Sequence, residues 1–74
     1  MTDEKLISAK KMFEDVGLKE SKSPFSDCIE YGEPFSGHIV FDKTYKMFHA
    51  NTTINAKLLK AIVKQCEELG WLND

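Results

Sequence analysis

Apolar residues recur along this chain with two periods, and the change of period divides it into elements. Between residues 3 and 16, Leu6, Ala9, Met12, Phe13 and Val16 stand mostly three or four positions apart, the spacing that lines one side of an α-helix. Lys5, Lys10, Lys11, Glu14 and Asp15 fall largely on the other side. Gly17 then predicts a left-handed cap, with Leu18 placed to pack back on Phe13 as in a Schellman ending. The last third of the chain repeats the helical period. Leu59, Ile62, Cys66 and Leu69 form the main stripe, broadened by Leu58 and Val63. Asn55 predicts the N-cap, because it sets Ile54 just before the cap and Leu59 at the fourth helical position, the two members of a hydrophobic staple. Gly70 is the expected C-terminal cap, with Trp71 folding back towards Cys66. The likeness between F-E-D-V-G-L and C-E-E-L-G-W follows from helix-ending chemistry and requires no duplication.

Between the helices the period falls to two. Residues 19–26 read K-E-S-K-S-P-F-S, a polar, serine-rich connection around Pro24 from which Phe25 dips towards the core. Residues 27–31 alternate, with Ile29 and Tyr31 on one side and Cys28 and Glu30 on the other. A turn segment, G-E-P-F-S-G, leads to residues 38–42, where Ile39 and Phe41 share a side. Pairing Tyr31 with Ile39 and Ile29 with Phe41 places all four on one face of an antiparallel hairpin, whereas a slip of one residue would oppose them to His38 and Val40. Residues 42–46 make a second turn and 47–50 a third strand. A four-residue loop sets Phe48 opposite Phe41 and a two-residue loop sets it opposite Ile39; both leave Phe48 inward. The expected architecture is a two-layer α+β domain of order αβββα, a three-stranded antiparallel sheet packed against two helices.

Seventy-four residues accommodate one domain, 1–74, and a chain this short buries only roughly 60% of its unfolded surface. A staple or partner subunit is a common remedy, which leaves room for a homodimer. Apolar content of 42% is that of a folding domain. No window approaches the apolar run of about 20 residues that a membrane helix needs. Cys28 and Cys66 have no CxxC or Cys/His ligand spacing and no secretory signal upstream, so they read as reduced thiols of a cytoplasmic protein. The formal net charge is -2, and every basic residue is lysine. Without the arginine fork that reads guanine edges, sequence-specific DNA recognition is disfavoured.

The stretches A-K-K-M-F-E-D-V-G-L at Ala9 to Leu18, I-E-Y at Ile29 to Tyr31, I-V-F-D-K at Ile39 to Lys43 and L-L-K-A-I-V-K-Q-C-E-E-L-G-W at Leu58 to Trp71 together resemble a group of short uncharacterised proteins of phages and prophages of Gram-positive bacteria (Firmicutes). The resemblance spans most of the chain; G-E-P-F-S-G and M-F-H-A-N-T-T depart from it. It implies origin and fold, and carries over no site residues.

Candidate chemistry is sparse. His38, His49, Cys28 and Cys66 hold donor atoms that suit zinc, but no two stand at a ligand spacing, so no metal or other cofactor is expected. Cys28 or Ser26 with His38 as base lacks an orienting group and an oxyanion site, and Glu30 with Glu33 reads as a charged rim, so no enzyme is expected. Two surfaces remain. Glu30, His38 and Val40 on the outward sheet face, with Phe35 on the turn, are the candidate protein interface, their partner an unidentified host or phage protein. Lys57, Lys60 and Lys64, aligned on the last helix, are the candidate nucleic-acid face, the less favoured reading because the chain is net acidic. Lys64 is also spaced to pair with Glu68.

Overall fold

The computed structural model describes residues 7–21, 27–33 and 37–72. Within them the chain forms α1 (Ala9–Asp15), β1 (Glu20–Ser21), β2 (Cys28–Glu33), β3 (Gly37–Asp42), β4 (Met47–Ala50) and α2 (Ala56–Glu68). The four strands make one antiparallel sheet in the order β1-β2-β3-β4. The architecture is therefore α+β as expected, with one strand more. Glu20 and Ser21, read from sequence as part of a polar connection, pair with Tyr31 and Glu30. The reason is geometric: the Gly17 ending turns the chain alongside β2, where the Lys19 carbonyl accepts a hydrogen bond from Gly32 N–H at 2.8 Å. Two residues are too few to display an alternating pattern. The remainder of that connection, including Phe25, and the anticipated helix start at residues 3–6 lie outside the described residues.

Both helix endings follow the Schellman geometry. Leu18 N–H bonds the Phe13 carbonyl at 2.9 Å and Trp71 N–H bonds that of Cys66 at 3.0 Å, with Gly17 and Gly70 at φ of 89° and 78°. Asn55 caps α2 through Oδ1, which accepts from Leu58 N–H at 2.8 Å. Helix α1 begins at Ser8, whose Oγ accepts from Lys11 N–H. Its first N–H, that of Ala9, donates to Glu68 Oε2 at 2.7 Å, so the C-terminal turn of α2 caps the start of α1 and the two helices run antiparallel. Glu68 has thus been drawn to a helix N-terminus, where a carboxylate is favoured, and the anticipated Lys64–Glu68 pair is not among the ion pairs of the described residues.

The hairpin register is the expected one, with Tyr31 opposite Ile39 and Ile29 opposite Phe41. The β3–β4 connection has four residues, setting Phe48 opposite Phe41. Asp42 Oδ1 accepts from Thr44 and Tyr45 N–H in that turn. Both helices cover one sheet face. The buried core there is Ala9, Phe13, Tyr31, Ile39, Phe41, Leu58, Ala61, Ile62 and Cys66. Phe41 is its hub, with the rings of Phe13, Tyr31, Phe48 and Trp71 centred 5.5 to 6.3 Å away. Phe13 stacks on Tyr31 at 4.0 Å. The Tyr31 hydroxyl donates to Gln65 Oε1 at 2.6 Å, a buried contact between sheet and helix.

The buried stripe of α2 differs from the one read in the sequence. It comprises Leu58, Ala61, Ile62, Gln65 and Cys66, whereas Leu59 and Val63 are 53% and 41% exposed. The helix is rotated so that Ala61 allows a close approach and Gln65 meets the Tyr31 hydroxyl. The apolar arc of α2 is consequently wider than the surface the sheet and α1 cover.

Candidate protein-interaction surfaces

Strand alternation puts Cys28 and Glu30 of β2, His38, Val40 and Asp42 of β3, and Met47 and His49 of β4 on the face away from the helices. The register aligns Glu30, Val40 and His49 in one row and Cys28, Asp42 and Met47 in the next. Three of the sequence-predicted interface residues are therefore neighbours; Phe35 lies outside the described residues. Glu30 and His38 are more enclosed than an open sheet face implies, their side chains 14% and 22% exposed, with His38 Nε2 4.0 Å from Glu30 Oε2. His38 Nδ1 is buried without a hydrogen-bond partner among the described residues. The backbone of His38 is fixed by the residue that follows β4, since its N–H donates to Asn51 Oδ1 at 2.6 Å and its carbonyl accepts from Asn51 N–H at 3.1 Å.

Both thiols have raised pKa values. Desolvation, followed by the neighbouring carboxylates of Asp42, Asp27 and Glu30, raises the Cys28 pKa, with Lys43 acting weakly against them. Burial raises that of Cys66. Both shifts run away from the thiolate that an activated nucleophile uses. Among the described residues no three His, Cys, Asp or Glu side chains are grouped as a metal would need, and no helix is long and apolar enough to cross a membrane.

The edge of the sheet at β4 is a different kind of surface. All four of its residues are exposed, and among the described residues nothing pairs with its outer side. Since Asn51 N–H bonds the carbonyl of His38 directly opposite, the alternation of an antiparallel ladder directs the backbone groups of His49 and Met47 to β3 and leaves those of Phe48 and Ala50 pointing outward. Natural edge strands are commonly blunted by lysine, proline or a bulge; M-F-H-A contains none. Phe48 lies at this edge on the helix side, 39% exposed, although its ring still contacts Phe41.

The third surface is the outer side of the helices. Ile7, Met12 and Asp15 from α1 and its approach, with Leu59, Lys60, Val63, Lys64 and Glu67 from α2, line a shallow groove of ≈ 650 Å³. Lys57 and Lys60 line a smaller hollow against Met12, Asp15 and Val16. The three predicted lysines are thus brought together along one side of α2, but they border α1 and are interspersed with acids and apolar side chains. Exposed Leu59 and Val63 and the Phe48 edge were missed in the sequence because every apolar residue at helical or strand period was assigned to the core. No protein-family model, curated protein or solved structure matches this chain.

Proposed function

We propose that the chain is a non-enzymatic protein-interaction module, of the phage or prophage kind its sequence resembles, acting in the cytoplasm by stoichiometric binding to a host or phage protein. The observation that carries this reading is the open β4 edge, with the amides of Phe48 and Ala50 directed outward beside a half-exposed aromatic ring. Such an edge accepts an extended peptide segment as a fifth strand, main-chain hydrogen bonds giving affinity and alternate side chains giving selectivity. The segment that fits is uncharged on the helix side, where an apolar residue packs against Phe48, and tolerant of polar residues on the other side, which adjoins His49. Glu30, His38 and Val40 then contribute from the adjoining sheet face. Because recognition is through backbone amides, the partner class is polypeptide.

Ala50→Pro tests this directly. It removes an outward N–H without touching the β3–β4 ladder, a substitution that edge strands tolerate. Capture from bacterial lysate by the wild-type chain, identified by mass spectrometry, is expected to be lost with Ala50→Pro and with Phe48→Lys while circular dichroism is unchanged. Capture that survives Ala50→Pro would refute the mode.

The alignment of Lys57, Lys60 and Lys64 supports a second reading, a nucleic-acid accessory protein gripping phosphates with one side of α2. Its signature is binding at low ionic strength with a steep salt slope. Asp15 and Glu67 on the same surface weaken the field these lysines produce, which is why it ranks second.

A further inference from the structure

We infer that the outer side of α2 is a self-association surface on which two copies of this chain pair their α2 helices antiparallel about a two-fold axis. Positions 56, 59, 63 and 66 of α2 carry Ala56, Leu59, Val63 and Cys66, spaced alternately by three and four. That is the a/d line of a helix seam. Within one copy this line is largely unused, because sheet and α1 take Leu58, Ala61, Ile62 and Gln65. Of the seam only Cys66 is buried, and Leu59 and Val63 remain 53% and 41% exposed. Lone exposed leucines are unremarkable; a line at seam spacing, next to Ile7 and rimmed by charge, is not.

The charges identify the occupant. Lys60 and Glu67 lie seven residues apart on one flank of the seam, both exposed, and neither is in an ion pair among the described residues. If two α2 helices cross antiparallel with the axis between positions 63 and 64, Lys60 of each copy meets Glu67 of the other, so one symmetry operation forms two opposite-charge pairs. In a parallel pair the seam separates Lys60 and Glu67 of one copy from those of the other, so neither opposite-charge pair forms. The surface is therefore complementary to itself in one orientation only, which is what a two-fold interface requires. A thirteen-residue helix is about 20 Å long, so the contact lies at the small end of specific interfaces. The dimer is accordingly concentration-dependent, with Kd on the order of micromolar. It uses a different surface from the β4 edge and stands independently of it.

The test is sedimentation velocity and native mass spectrometry across a concentration series. Wild type is expected to pass from monomer to dimer, and Leu59→Glu to remain monomeric. Lys60→Glu places acids opposite acids and Glu67→Lys places bases opposite bases, so each alone weakens the dimer by about tenfold. An equimolar mixture of these two variants restores both pairs in a heterodimer, and K60E/E67K in one chain restores the homodimer. Both positions are exposed, so neither variant threatens folding, which circular dichroism verifies. A wild type that stays monomeric at millimolar concentration, or a dimer indifferent to the single charge reversals, overturns the inference. Ala50→Pro is expected to leave the dimer intact, which separates this result from the strand-addition test.

Discussion

Replacing Tyr31 with phenylalanine removes a single oxygen from the centre of the domain and leaves every ring contact in place. Tyr31 and Gln65 are 3% and 4% exposed, and the bond between them measures 2.6 Å, so neither group finds water when its partner is taken away. Tyr31→Phe strands the Gln65 amide oxygen, and Gln65→Met strands the phenol at nearly constant volume; each should cost about 1–3 kcal/mol. The double variant strands nothing. Its loss should fall short of the sum of the single losses by at least about 1 kcal/mol. Urea unfolding followed by the fluorescence of Trp71 measures all four proteins, and unchanged m-values would show that the folded state is being compared with the same unfolded one. Alkaline titration supplies a second readout. Desolvation first, then the carboxylates of Glu20, Glu68 and Glu14, pushes the Tyr31 pKa up to about 12 from 10.0. The folded state thus holds a proton that the unfolded chain releases. The associated stability is fully present below pH 10 and disappears as the pH rises towards about 12, and at about 1.4 kcal/mol per unit it amounts to roughly 2–3 kcal/mol. Tyr31→Phe should flatten that part of the alkaline decline. Additive single losses, or an alkaline slope identical in wild type and Tyr31→Phe, would refute the role assigned to this bond.

Two further substitutions probe the frame around the candidate surfaces. Gly32 sits in β2 at φ 90°, where an added Cβ would overlap the Gly37 carbonyl oxygen and press on His38 Cα; Gly32→Ala should destabilise by about 2–4 kcal/mol, read from the urea midpoint, since both backbone strain and a main-chain clash act there. Glu68→Ala removes the carboxylate that accepts from Ala9 N–H and should cost about 1–2 kcal/mol, with amide exchange accelerating first in α1.

Local signals were legible where they rest on backbone chemistry. Asn55, Gly17 and Gly70 marked helix ends because capping depends on one residue and its immediate neighbours, and the β2–β3 register was fixed because any other would expose Tyr31 and Phe41. The rotation of α2 was not legible. Leu58, Leu59, Ile62, Val63 and Cys66 span an arc of about 140°, and the choice of face was settled by Ala61, small enough for close packing, and by Gln65, whose partner is thirty-four residues away. Ser8 could have been read as a cap, since serine just before A-K-K-M-F is the expected signal. Strand β1 could not, because its evidence is a neighbour and not a pattern. For the surfaces, the adjacency of Glu30, His38 and Val40 followed from register alone, while the open edge at β4 depends on the order of strands in the sheet.

The tie between Ala9 and Glu68 also bears on synthesis. Helix α1 has seven residues, fewer than an isolated helix needs to persist in water. Its cap arrives from a residue fifty-nine positions later, and its Phe13 packs in the aromatic cluster that Trp71 completes. During translation α1 therefore emerges before α2 but becomes stable only with it: the nascent chain presents Met12, Phe13 and Val16 uncovered until α2 has been made. Such a chain relies on rapid completion or on chaperone shelter, and a product truncated before position 68 would go to proteolysis and not into the folded pool.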